Sequence, residues 1–103
     1  MRYRGEEAIG LIETIGMVPA IYAADAMLKA GDTELVSYEN VGSTLVTIVV
    51  KGDVAACEAA VKAGVKAVEA LGAEVYSSVV IPRPHPSLKK ITEKYTVEKL
   101  LPY

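Results

Sequence analysis

The sequence predicts an α+β domain with the element order βαββαβ, the ferredoxin-like arrangement, followed by a short C-terminal helix and tail. Three observations predict it. Residues 38–50 hold two runs rich in Val, Ile, Thr and Tyr that meet at Gly42-Ser43. Such flanks suit a pleated, half-buried surface, and Gly followed by a small polar residue is a hairpin signal. An Ala-rich helical pattern opened by a glycine turn lies before this hairpin, and another lies after it. Finally, a shift of about 36 residues lays Gly16, Val18, Ala20, Ala23 and Ala24 over Gly52, Val54, Ala56, Ala59 and Ala60. True duplication and a shared Ala/Gly helix composition both account for that match. Two βαβ-like halves joined by a tight hairpin place both helices on one face of an antiparallel sheet.

The first strand, Ala8–Ile15, is nearly continuous in apolar content, which predicts a central position. Gly16 ends it. The first helix runs from Met17 to Ala30, with Pro19 in the first turn, where a missing N–H costs nothing. Val18, Ile21, Ala24 and Leu28 have the spacing of one buried face, and Asp25 and Lys29 form an i, i+4 pair on another. Gly31-Asp32 reads as a C-terminal glycine stop. Residues 33–41 and 44–51 are the second and third strands. Asp53 caps the second helix. Its expected buried stripe is Val54, Cys57, Val61, Gly64, Val65, Val68 and Leu71, with Lys62, Lys66 and Glu69 in solvent. Gly72 stops it, and residues 73–81 form the fourth strand. Pro82, Pro84 and Pro86 hold the next segment extended along a surface. Residues 87–95 suggest a short amphipathic helix with Leu88 and Ile91 facing in, and residues 96–103 are apolar enough to dock on this domain or on a neighbour. The division is thus 1–86 for the domain and 87–103 for the helix and tail.

At 103 residues the chain supports one core. Its net charge of −2, with both signs interspersed, argues against a nucleic-acid partner. The apolar runs are too short and too interrupted by charge to span a membrane. The charged start, Met1-Arg2-Tyr3-Arg4-Gly5-Glu6-Glu7, lacks the apolar core of a signal peptide. The single cysteine, Cys57, reads as a buried structural thiol in a reducing, cytoplasmic setting.

Catalytic chemistry is hard to find. Cys57 lies mid-helix and the single histidine, His85, lies in a proline run, so a thiol–imidazole pair is not expected. No His/Cys/Asp/Glu cluster has metal-ligand spacing, and no glycine pattern forms a phosphate loop. The chain is therefore not expected to be an enzyme, and no cofactor or metal is expected. Three features lack a core role: the polar tip Asn40, Val41, Gly42, Ser43 and Thr44; the pair Asp25 and Lys29; and Arg83, Pro84 and His85. Taken alone, these also read as an ordinary turn, a surface ion pair and a solvated linker.

Several motifs in order, Glu7-Ala8-Ile9-Gly10-Leu11-Ile12-Glu13-Thr14, Ala23-Ala24-Asp25-Ala26-Met27-Leu28-Lys29-Ala30, Val41-Gly42-Ser43-Thr44-Leu45-Val46-Thr47, Lys51-Gly52-Asp53-Val54 and Val80-Ile81-Pro82-Arg83-Pro84-His85, resemble the single-domain shell protein of bacterial microcompartments. The resemblance implies a cyclic homohexamer whose flat tiles pack edge to edge into a shell, alongside other shell proteins, around encapsulated enzymes. It implies that residues 40–44 line a pore on the six-fold axis, with Ser43 at the constriction. It further implies that Lys29, held by Asp25, meets its copy across the tile edge, that Arg83 reaches neighbouring backbone there, and that Pro84 and His85 shape the contact. The chain departs from the family in three places. Asn40 stands where Lys is frequent, Thr44 where Gly is frequent, and Gly31-Asp32-Thr33 where more helix is usual. A different class, a small ferredoxin-like regulatory module that binds a metabolite between subunits, shares the same element order.

Overall fold

The computed structural model describes residues 7–41 and 44–92. Strands β1 (Ala8–Ile15), β2 (Glu34–Val41), β3 (Leu45–Gly52) and β4 (Val75–Ile81) form one sheet in the order β2-β3-β1-β4. Every neighbouring pair is antiparallel. Helices α1 (Met17–Ala30) and α2 (Val54–Ala70) follow β1 and β3, as the βαββαβ reading requires. Strand β1 is central, as its continuous apolar content predicts. After β4 come a short 3-10 turn, Pro86–Leu88, and helix α3 (Lys89–Thr92).

The two helices and one sheet face enclose the main core. It holds Ile12 from β1, Val46, Ile48 and Val50 from β3, Ala20, Ala23, Ala24 and Met27 from α1, and Ala60, Val61 and Val68 from α2. Among the described residues the opposite sheet face carries no helix of comparable length; a smaller apolar cluster of Ile9, Val36 and Val49, flanked by Leu11 and Ile81, lies there. A register shift between Leu35 and Ser37 makes Val36 an extra residue in β2. A bulge of this kind lets two successive residues share one face.

The buried face of α1 differs from the sequence expectation. Ala20, Ala23, Ala24 and Met27 face inward, whereas Val18 and Ile21 are 64% and 56% exposed and Leu28 is also exposed. Of the expected stripe only Ala24 is buried. Asp25 and Lys29 share the outer face with Val18 and Ile21 instead of lying apart from them. The reason is steric. Alanines let α1 approach α2 and the sheet closely, which bulkier side chains would prevent. A Cβ on Gly64 of α2 would sit 2.5 Å from Ile12 Cδ1 and 2.8 Å from Met27 Cγ. The stripe on α2 is as expected from Cys57 to Val68, but Val54 and Leu71 at its ends are exposed.

The helix ends separate two uses of glycine. After α2, Gly72 has φ 84°, its N–H donates to the Glu69 carbonyl, and the Ala73 N–H donates to Val68. That is a left-handed helix stop. Gly31 after α1 is extended instead, with φ −146° and ψ 167°, so it does not end the helix in the expected left-handed way. Its missing side chain makes room: a Cβ would lie 2.8 Å from the backbone oxygen of Ala56. In α3, Ile91 is exposed rather than turned inward, while Leu88 is partly covered. Residues 93–95 of that expected helix lie outside the described residues.

Gly31→Ala therefore costs stability through a backbone clash between helix ends, not through φ. Urea denaturation should show a loss of about 1–3 kcal/mol, the usual cost of overpacking. An unchanged midpoint would mean that the approach of Gly31 to Ala56 is not a rigid contact.

Candidate functional site: two ends of one sheet

Strand register fixes where each candidate residue lies. Ile15 of β1 pairs with Leu45, and Val41 pairs with the same Leu45, so the β2–β3 hairpin tip lies at the C-terminal end of β1. The Gly16 N–H donates to the Thr44 carbonyl at 2.8 Å, tying the base of the tip to the start of α1. Asn40 and Thr44 are exposed there. Gly42 and Ser43 lie outside the described residues, as does the side chain of Val41.

Helix α1 leaves that end and runs back to the other, since β2 begins there with Glu34 opposite Lys51. Lys29 Nζ lies 2.9 Å from Asp25 Oδ2, with the two side chains 76% and 61% exposed. Solvent leaves such a pair only a few tenths of a kcal/mol. Arg83 follows β4, whose last residue, Ile81, pairs with Ile9 near the start of β1. Lys29 and Arg83 therefore share one end of the protomer, and the hairpin tip lies at the other. About 23 Å of strand separates them.

Arg83 and His85 are exposed and Pro84 is buried between them. The Ser87 N–H donates to His85 Nδ1 at 3.1 Å, so His85 caps the turn that follows. The segment is thus anchored rather than a free linker.

Sequence reasoning missed two polar arrangements. Glu13, on the sheet face opposite α1 and α2, accepts from the Thr47 hydroxyl at 3.1 Å and from the Ser77 hydroxyl at 3.2 Å. The three come from β1, β3 and β4 and line a groove of about 240 Å³ with Leu11, Ser78 and Val79. Strand alternation alone could have placed Glu13 and Thr47 on one face, but their pairing needs the register. Lys51 is buried near Glu7 at 3.4 Å and Glu34 at 3.7 Å, where a lone ammonium would be costly. No signal in the sequence brings these three together.

Cys57 is buried, as expected, and its thiol donates to the Ala8 carbonyl at 3.5 Å. Burial pushes its pKa above the ordinary value of 9.0, with the Asp53 carboxylate adding to the effect. Among the described residues no group of three or more His, Cys, Asp and Glu could hold a metal ion. No helix among them is long and apolar enough to cross a membrane.

A sheet in this order with both long helices on one face defines the split βαβ class of α+β domains. The chain belongs to the BMC domain family, whose pattern matches residues 8–84. It is 51% identical over 89 residues to bacterial microcompartment shell protein PduA of Citrobacter freundii, covering 86% of this chain and 95% of that protein. It is 48% identical over 92 residues to carboxysome shell protein CsoS1B of Hydrogenovibrio crunogenus, covering 89% and 92%. A solved microcompartments protein from Desulfitobacterium hafniense DCB superposes with a TM-score of 0.76 at 32% identity. That match covers 88% of this chain and 49% of the solved one, so this chain spans about half the length of that structure.

The Cys57 shift has a sign that can be checked. The folded thiol holds its proton when the unfolded thiol has lost it, so the unfolded state binds fewer protons above pH 9. The contribution is complete below the ordinary value of 9.0 and is lost as pH rises from there toward the raised folded value. Urea midpoints at about pH 8 to 10.5 should fall more steeply for the native chain than for Cys57→Ala. Parallel curves would contradict a buried, protonated thiol.

Proposed function

We propose that the chain is a structural subunit of a bacterial microcompartment shell in the cytoplasm. Copies close into a cyclic homohexamer, hexamers tile edge to edge into a sheet, and residues 40–44 from each copy ring a central pore. Other shell proteins join the sheet, and the enclosed enzymes lie on one side of it. Kinship with named shell proteins supports the structural role and does not favour a regulatory module.

The observation that carries the reading is the outer face of α1. Val18, Ile21, Tyr22 and Leu28 are exposed along a helix that runs from the hairpin-tip end toward the Lys29 end. An apolar stripe at helical spacing belongs in a core, and the described residues of the protomer do not supply one. A neighbouring copy does, between the axis and the rim. Covering each such side chain contributes about 1.5–3 kcal/mol, well above the exposed Asp25–Lys29 pair. Apolar contact then closes the ring. Lys29 and Arg83, at the far end from the tip, serve the contacts between rings, and Pro84 and His85 hold Arg83 in place.

One residue at the tip becomes a ring by symmetry. Hydroxyls and backbone N–H groups around a narrow opening suit small polar or anionic metabolites, which exchange water contacts for protein ones. Asn40 in place of a lysine removes positive charge from the entrance and weakens anion attraction. Thr44 adds a β-branched side chain at the hairpin base and stiffens it.

Lys29→Ala and Arg83→Ala should each leave hexamers intact in sedimentation velocity and abolish hexagonal sheets in electron micrographs. Each edge contact repeats around the ring, so a small loss per copy is multiplied. Sheets that persist in both variants would overturn the edge assignment, and loss of the hexamer itself would place these residues within the ring.

A further inference from the structure

The sheet face opposite α1 and α2 carries a row of polar residues that crosses all four strands. Register places Ser77 of β4 beside Glu13 of β1, Glu13 beside Thr47 of β3, and Thr47 beside Glu39 of β2. Glu13 is half-buried in the groove of about 240 Å³ whose apolar lining is Leu11 and Val79.

The hydrogen bonds decide which chemistry this groove accepts. The Thr47 hydroxyl donates to Glu13 Oε2, and the Ser77 hydroxyl donates to Oε1. A hydroxyl has one proton to give, so both are spent. Each hydroxyl oxygen and each carboxylate oxygen still has a lone pair. The three side chains therefore offer acceptors and a negative charge, and no donor. No lysine or arginine lines this groove or the adjoining one that holds Glu39. An anion is repelled there. A metal ion lacks ligands, since among the described residues no group of three or more His, Cys, Asp and Glu could hold one.

We propose that the groove binds a small primary alkylammonium ion. Three N–H donors on one nitrogen match the acceptors on Glu13, Thr47 and Ser77, and hydrogen bonds of this charge-assisted kind are the strong ones. A chain of a few carbons then lies along Leu11 and Val79, the latter 50% exposed without it. Volume limits the size, because sites for drug-sized ligands run to roughly 300–1,000 Å³. Glu39, one strand beyond Thr47, adds attraction at longer range. The site lies within one protomer and away from the outer face of α1, so it does not depend on the shell reading.

Methyl NMR of the full chain, observing Leu11 and Val79, tests this with n-butylammonium chloride as the probe. Both residues should shift along a saturable curve, with a Kd in the millimolar range. Glu13→Gln keeps the shape and removes the charge, and should weaken binding about tenfold or more, whereas Glu39→Gln should weaken it only about twofold. Tetramethylammonium, a cation without N–H, should bind about tenfold more weakly than n-butylammonium. Absent or unsaturable shifts would overturn the proposal. So would equal losses in the two variants, or equal binding of the two cations, either of which would leave only a general attraction of cations to an acidic face. Tighter binding of Nα-acetyl-lysine amide than of n-butylammonium would assign the groove to a lysine of another protein, and would overturn it equally.

Discussion

Helix α1 has to satisfy two surfaces at once, and the rest of the architecture follows from how it does so. Its inward face is Ala20, Ala23, Ala24 and Met27. Small side chains allow α1 to lie close to α2, where Gly64 leaves the space that Ile12 and Met27 fill. The bulkier apolar residues are thereby turned out of the protomer. Packing by small residues gains dispersion contacts through proximity rather than through buried volume. The cost is an apolar face that no described residue of the same subunit covers.

That face has a direction because the sheet has one. The split βαβ order sends each helix back along the strand it follows. The hairpin tip and the start of α1 thus share one end, joined by the Gly16–Thr44 hydrogen bond, and Lys29 and Arg83 share the other. A polar loop, an apolar flank and a charged rim are laid out in sequence along the molecule. In the ring we propose, rotation about an axis near the loop would convert them into an opening, a set of subunit contacts and an outer border.

Much of this was legible in the residues. Runs rich in Val, Ile, Thr and Tyr gave the second and third strands, continuous apolar content gave the first, and Gly42-Ser43 gave the hairpin, whose flanks pair as expected from Glu39 to Thr47. Asp53 accepts the Ala56 N–H at 2.8 Å, as a capping residue should. The inner face of α1 was not legible, because hydrophobic periodicity weights large side chains and three of the four buried ones are alanines. Gly31 looked like a helix stop by position alone; only the distance to Ala56 reveals its steric role. The Glu13–Thr47–Ser77 cluster and the Lys51 ion pairs join residues far apart in sequence. Strand register creates them, and register is a property of the assembled sheet.

The central claim is that the outer face of α1 is an interface between copies. Native mass spectrometry of the unmodified chain beside Ile21→Asp measures it most directly. The account predicts a species of six protomers for the first. It predicts a folded single protomer for the second, because a carboxylate in that contact would be desolvated without a partner. A native chain found as one or two protomers at micromolar concentration, or an Ile21→Asp ring as stable as the native one, would contradict it.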